Sequence, residues 1–203
     1  MIYHSAFENS YLWYPLIGFA VGLIGTLIGG GGGFFFMPVL ILIFGVPANI
    51  ALATSLAATL PICIIGSVAH YSIGHIKVRT GLIFASAGLL GALSGASITS
   101  LITPQQLQVS WGIYLILIAL QMIISTWRSK RDKANGIVRP ESSRLGKAAT
   151  GTFFGFIAGI ITATFGTSGA TPVQAGLFAM RVPVKMVIGT SLMAVSYTHL
   201  TLP

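Results

Sequence analysis

Acidic residues are almost missing from this 203-residue chain: Glu8, Asp132 and Glu141 stand against 11 Lys and Arg. Charge of either sign is scarce, at 7% of residues where a soluble protein carries about 25%, and 54% are hydrophobic. A water-soluble globular domain is thereby excluded. With no carboxylate in the long apolar runs, an intramembrane aspartyl enzyme or a carboxylate-built metal or cation site has no residues to work with. Cysteine occurs once, as Cys63 inside an apolar run, so no intrachain disulfide can form and the residue reads as core packing. Enzyme motifs are lacking too. No H-E-x-x-H occurs, the glycine run at 29–33 lacks the third position of G-x-G-x-x-G, and Gly146-Lys147 has neither the earlier glycine nor the Ser/Thr of a P-loop. No enzyme, cofactor or metal is expected. The first 15 residues hold no Lys or Arg ahead of the apolar stretch, which argues against a cleavable signal peptide.

The net charge of +8 would suit a nucleic-acid binder, but its placement does not. Uncharged runs of 68 residues (between Glu8 and Lys77), 48 (Arg79 to Arg128) and 33 (Lys147 to Arg181) fill most of the chain. A bilayer core takes about 20 apolar residues per helical span, so an all-α polytopic membrane protein is predicted, with lipid and not nucleic acid around it. Leu12 to Phe44 is interrupted by Gly29 to Gly33 and by Pro38, which predicts two short pieces. Pro47 to about Gly74 predicts a helix with a kink at Pro61, and Thr80 to Ile102 and Leu107 to Trp127 predict two more spans around a polar turn. Trp13, Tyr14, Trp111 and Trp127 near span ends read as interface anchors.

The segment 128–147 holds seven of the eleven basic residues and is expected to face the cytoplasm. Two spans separate it from Lys77 and Arg79, which then face the same side. Ala148 to Met180 is expected to be a second hairpin, because a single helix would put Arg181 and Lys185 outside. This divides the chain into 1–127, a first repeat of a broken hairpin plus three spans; 128–147, the basic loop; and 148–194, the start of a second repeat. The last stretch, Val195 to Pro203 (VSYTHLTLP), resembles the conceptual translation of a sequencing adapter and is set aside as a scar.

The two hairpins repeat one another. Gly18, Gly22, Gly25, Pro38, Val46-Pro47 and Thr54-Ser55 are matched by Gly151, Gly155, Gly159, Pro172, Val182-Pro183 and Thr190-Ser191, at an offset drifting from 133 to 136. An odd number of passes separates the copies, so they enter from opposite faces. Inverted repeats with short, Gly/Pro-interrupted segments are a mark of secondary transporters, whose substrate site lies between the breaks. The series GxxxGLIGTLIGGGGGFFFMPVL, Val46-Pro47 and Thr54-Ser55, with Gly189 to Ser191 ending its second copy, resembles the TauE/SafE family of membrane permeases from Leu12 to about Ala194. That resemblance implies export or uptake of sulfite and small organosulfur anions across a bacterial cytoplasmic membrane, and further helices after Ser191. Thr164, Thr167 and Thr171 depart from the family pattern, which shows more glycine there.

Candidate site residues follow from both lines. Gly29, Gly30, Gly31, Gly32 and Gly33, and Gly166, Thr167, Ser168 and Gly169, offer freed amides and half-helix N-termini to an anion; close helix packing is the other reading of such glycines, and of Gly91, Gly95, Gly151 and Gly155. Thr54, Ser55, Thr190 and Ser191 offer hydroxyls at matching positions, or bond back to their own helices. His70 and His75 read as a proton relay or as interfacial residues. Arg181 and Lys185 would attract an anion or simply set topology. The function expected is a permease for a small anionic substrate; the alternatives are a non-transporting membrane assembly module and a passive anion channel.

Overall fold

The structure is a computed structural model describing residues 12–30, 32–134 and 144–200, and every regular element among them is helical. The order is α1 (Tyr14–Ile28), α2 (Gly33–Pro38) with a π-helical continuation (Val39–Ile43), α3 (Ala48–Ser72), α4 (Val78–Thr99), α5 (Pro104–Ala134), α6 (Arg144–Phe165), α7 (Ala170–Ala179) and α8 (Val184–Leu200). Helices α3, α4 and Leu145–Phe165 of α6 are long and apolar enough to cross a membrane, and Tyr14–Leu27 and Gly33–Ile43 are shorter apolar helices. Ile65, Val68, Leu90, Leu93, Ile116 and Leu120 are exposed, an apolar exterior suited to lipid tails. The all-α membrane architecture expected from the sequence is the one found.

The glycine run divides the first apolar stretch. Helix α1 ends where Gly29 turns left-handed (φ 80°), its amide bonding back to the carbonyls of Gly25 and Thr26, a glycine cap. A second left-handed residue, Gly32 (φ 87°), accepts the amides of Phe35 and Phe36 and starts α2. Pro38 brings no amide to the ladder, and the helix continues beyond it in π form. The second half follows the same plan: α6 ends at left-handed Gly166 (φ 60°) and α7 starts at Ala170. Ahead of each Val-Pro the chain again turns left-handed, at Gly45 (φ 61°) and at Arg181 (φ 59°). Helix α6 runs seven residues from Gly159 to its break where α1 runs four from Gly25, the two breaks are equal in length, and Pro172 stands third in α7 where Pro38 stands sixth in α2, which accounts for the drifting offset.

Helices α5 and α6 differ in extent from expectation, and α3 does not. Pro61 lies inside α3 without ending it. Helices α5 and α6 take over both ends of the basic segment, as Lys and Arg allow, and 135–143 lie outside the described residues. Helix α8 carries on through Val195 to Leu200.

The tightest packing joins α4 to α6. A Cβ on Gly159 would fall on the carbonyl oxygen of Gly88, one on Gly91 on that of Phe156, one on Gly155 within 2.6 Å of Phe84 O and one on Gly95 within 2.6 Å of Ile160 O. Backbones come this close only where at least one of the two residues has no side chain, the usual means of association where the lipid is as apolar as the helices. Beside this seam, Phe84, Ala158, Val173, Leu177 and Val187 form one core linking α4, α6, α7 and α8. Met37, Val46, Ala51, Trp111, Tyr114 and Ile118 form another, which seats α5 against α2 and α3.

Candidate functional site

Breaking a helix frees backbone carbonyls, and a bilayer interior offers no water to satisfy them. Each break solves this with a serine from the other half. Ser55 Oγ of α3 donates to the carbonyl oxygen of Gly166 at 2.8 Å, and Ser191 Oγ of α8 donates to that of Gly29 at 3.0 Å. Ser55 also lies 3.3 Å from Gly33 O, and Ser191 lies 2.9 Å from Ile188 O. Both serines are fully buried. A hydroxyl has one proton, so in this conformation each serine spends it on a carbonyl and presents only acceptor lone pairs elsewhere.

Backbone contact completes the junction. Gly33 approaches the second break so closely that a Cβ there would stand 2.8 Å from Ser168 N and 2.8 Å from Thr59 Oγ1. A Cβ on Gly29 would stand 2.9 Å from Gln174 Nε2 and 3.1 Å from Ile188 Cα, and one on Gly166 would meet Leu52. Each break is thus covered by the helix that follows the other hairpin, α3 over the second break and α8 over the first. Around it run local bonds: Thr59 Oγ1 donates to Ser55 O at 2.7 Å, Thr162 Oγ1 to Ala158 O at 2.8 Å, and the Ala170 amide to Ser168 Oγ at 3.3 Å.

Gly29, Gly30, Gly32, Gly33, Ser55, Gly166, Thr167, Ser168, Gly169 and Ser191 therefore gather at or beside the two breaks. Gly31 lies outside the described residues. Thr54 is exposed, next to buried Ser55. Thr190 is buried but elsewhere, its Oγ1 accepting the Lys77 amide at 3.0 Å, while neighbouring Gly189 packs on the His75 carbonyl and the His70 side chain. Thr190 thus fastens the loop after α3 to α8. The His70 and His75 rings lie 6.0 Å apart in the same place, and His70 Nδ1 has no hydrogen-bond partner. Arg181 and Lys185 are exposed. Gly151 and Gly155 pack α6 on α4, as do Gly91 and Gly95.

Two aromatic residues of α5 belong to this region, and sequence reasoning missed them. Trp111 is 6% exposed and not the interfacial anchor expected; it stands with Tyr114 in the core against α2 and α3. The Tyr114 ring stacks on Phe165 at 5.2 Å, one residue before the second break. The available signal was a Trp and a Tyr three apart, hence on one helix face, inside an otherwise aliphatic span. Charge is absent from the junction: the residues named at the two breaks are all neutral. Among the described residues no group of His, Cys, Asp or Glu could hold a metal ion. What the arrangement offers a ligand is neutral donors and the N-terminal ends of two short helices.

Comparison with known proteins agrees with this architecture. The family profile described as "Sulfite exporter TauE/SafE" matches residues 14–202. The "Probable membrane transporter protein YdhB" of Bacillus subtilis is 31% identical over 181 residues, covering 89% of this chain and 72% of that protein. A "Probable membrane transporter protein" of Xylella fastidiosa is 33% identical over 186 residues, covering 89% of this chain and 66% of the relative. YunE of Bacillus subtilis, which bears the same description, is 26% identical over 208 residues, covering 95% and 76%. The chain thus spans two thirds to three quarters of these relatives' lengths. No solved structure matches it.

Proposed function

Because the chain belongs to the TauE/SafE family of membrane proteins, we propose that it is a secondary permease moving a small anion, sulfite or an organosulfonate, across the bacterial cytoplasmic membrane. The observation that carries this reading is the crossed pair of serine bonds, Ser55 to Gly166 and Ser191 to Gly29. Two broken segments that meet and exchange equivalent contacts are the arrangement an inverted-repeat transporter uses, its halves rocking about the junction to open it to one side and then the other. In the proposed cycle, separating the halves frees the two serine hydroxyls and the carbonyls they hold. The anion then enters among the amides of Gly29 to Gly33 and Gly166 to Gly169, with Thr167, Ser168, Ser55 and Ser191 as hydroxyl donors. Half-helix N-termini favour negative charge there, and no carboxylate opposes it. Residues 1–127 and 148–194 are the two oppositely oriented copies in this scheme, with Lys77, Arg79 and the 128–147 segment on the cytoplasmic side.

The close approach of Gly33 to Ser168 is also what a non-transporting assembly module would present, and transport separates the two. Cells expressing the chain are expected to take up or expel radiolabelled sulfite or taurine saturably. Flux is expected to fall in the Thr54→Ala/Ser55→Ala double variant and in Ser191→Ala at equal membrane abundance. Unaltered flux in these variants removes the proposed site. Absence of flux removes the transporter reading of this chain, and large non-saturating currents in planar bilayers would make it a channel.

A further inference from the structure

Four buried hydroxyls at the two breaks, those of Ser55, Thr59, Thr162 and Ser191, have carbonyl acceptors. On the α5 side of the second break the pattern fails. Thr167 is 0% exposed and its Oγ1 has no hydrogen-bond partner; Tyr114 is 9% exposed and its phenol oxygen has none; Trp111, three residues before Tyr114 and 6% exposed, leaves Nε1 without one. The Tyr114 hydroxyl lies beside Thr167 and Thr171 yet meets neither in hydrogen-bond geometry. Leaving a buried donor unsatisfied costs about 1–3 kcal/mol, and native proteins tolerate few such groups without a reason. Here Tyr114 from α5 and Thr167 from the break converge beside Thr171 at the N-terminus of α7, a ten-residue helix whose first amides have no intrahelical acceptor.

We propose that Tyr114 and Thr167, with Thr171 at the rim, form an oxyanion subsite at the N-terminus of α7 that takes the SO3 group of sulfite or a sulfonate. Its place in a transport cycle rests on the function proposed above; its capacity to bind does not. All three side chains carry an O–H proton to give, and an SO3 group has three oxygens, each able to accept from more than one donor. The phenol is fixed by the stack of its ring on Phe165, so donation is preorganised. The first break has no counterpart to this cluster among the described residues, so the two halves contribute unequally to recognition. That inequality follows from the threonines by which the second break departs from a run of glycine.

The test uses the full chain purified in detergent, with sulfite, methanesulfonate and chloride as probes, and the variants Tyr114→Phe and Thr167→Val. Tyr114→Phe keeps the ring and its stack, so its unfolding temperature without ligand is expected to stay near wild type. Sulfite and methanesulfonate are expected to raise the unfolding temperature of the wild type. Either variant should need at least ten times more of the same probe, the factor expected for loss of one hydrogen bond to a charged acceptor. In vesicles the apparent KM for sulfite should rise about ten-fold in Tyr114→Phe with maximal flux unchanged, which a merely structural role would not produce. Equal probe dependence in wild type and both variants overturns the subsite, as does stabilisation by chloride alone. Stabilisation by sulfite that Tyr114→Phe weakens, in a chain that moves no sulfite, upholds the subsite and refutes the transport reading. No stabilisation and unchanged KM refute the subsite alone.

Discussion

Ser55 Oγ donates to the carbonyl oxygen of Gly166 at 2.8 Å, and its counterpart Ser191 returns the bond to Gly29 at 3.0 Å. The equivalence is structural. Each serine lies eight residues after the proline that opens its helix, and each acceptor is a left-handed glycine that closes one. Neither half satisfies its own break, so the junction is complete only when both are present. Removing either hydroxyl leaves a buried carbonyl without its donor. Ser55→Ala and Ser191→Ala are each expected to lower stability by about 0.5–2 kcal/mol, the range for hydrogen bonds between membrane helices. Exposed Thr54→Ala should stay within about 0.5 kcal/mol of wild type. Thermal unfolding in detergent measures this, and equal unfolding temperatures for Ser55→Ala and Thr54→Ala would show that the latch carries no stability.

The repeated series of Gly, Pro, Val-Pro and Thr-Ser made the two interrupted helices legible in the sequence, because proline and glycine act on the backbone locally. The partners of the Thr-Ser pairs were not legible. Adjacent helix positions point about 100° apart, so Ser55 reaches the other half while Thr54 is exposed, and only tertiary placement decides which does which. Arg181 was hidden for a related reason: arginine does not announce a left-handed turn, although Gly45 in the same role does. Trp111 and Tyr114 were missed because aromatic residues near span ends fit an interface as well as a core. Their burial depends on α2 and α3 packing over that stretch of α5.

The seam between α4 and α6 gives a second prediction. Gly159→Ala places a methyl group on the Gly88 carbonyl and must push the helices apart, which is expected to cost about 1–3 kcal/mol or more. Gly112 on α5 faces open space, with nothing within 4 Å of an added Cβ. Gly112→Ala is therefore expected to be neutral or to stabilise by up to about 1 kcal/mol through helix propensity. Urea unfolding in mixed micelles compares them, and a Gly159→Ala variant as stable as Gly112→Ala would rule out the close approach.

Arg181 holds φ at 59°, a region that costs a side-chain-bearing residue roughly 1–2 kcal/mol. Arg181→Gly relieves that strain, and Arg181→Ala keeps it while removing the same charge. The glycine variant is expected to be about 0.5–1 kcal/mol more stable than the alanine variant, allowing for the extra freedom glycine gives the unfolded chain. Equal unfolding temperatures for the two would mean that the turn is not left-handed at this position.

The proposed orientation makes the last prediction, and Cys63 makes it easy to test. Its side chain is 0% exposed, so a maleimide should not reach it until the protein unfolds, and Cys63→Ser supplies a silent background. Lys77 precedes α4, Lys147 lies in the first turn of α6, and Gln105 sits at the start of α5, beyond α4. If α4 and α5 each cross the bilayer once, Lys77→Cys and Lys147→Cys must share a face and Gln105→Cys must lie on the other. The basic surroundings of 77 and 147 assign their face to the cytoplasm. A membrane-impermeant maleimide should therefore label Lys77→Cys and Lys147→Cys only in inside-out vesicles and Gln105→Cys only in right-side-out ones. Labelling of 77 and 147 from opposite faces would change the number of crossings between the two breaks from odd to even, and the halves would then be parallel and not inverted.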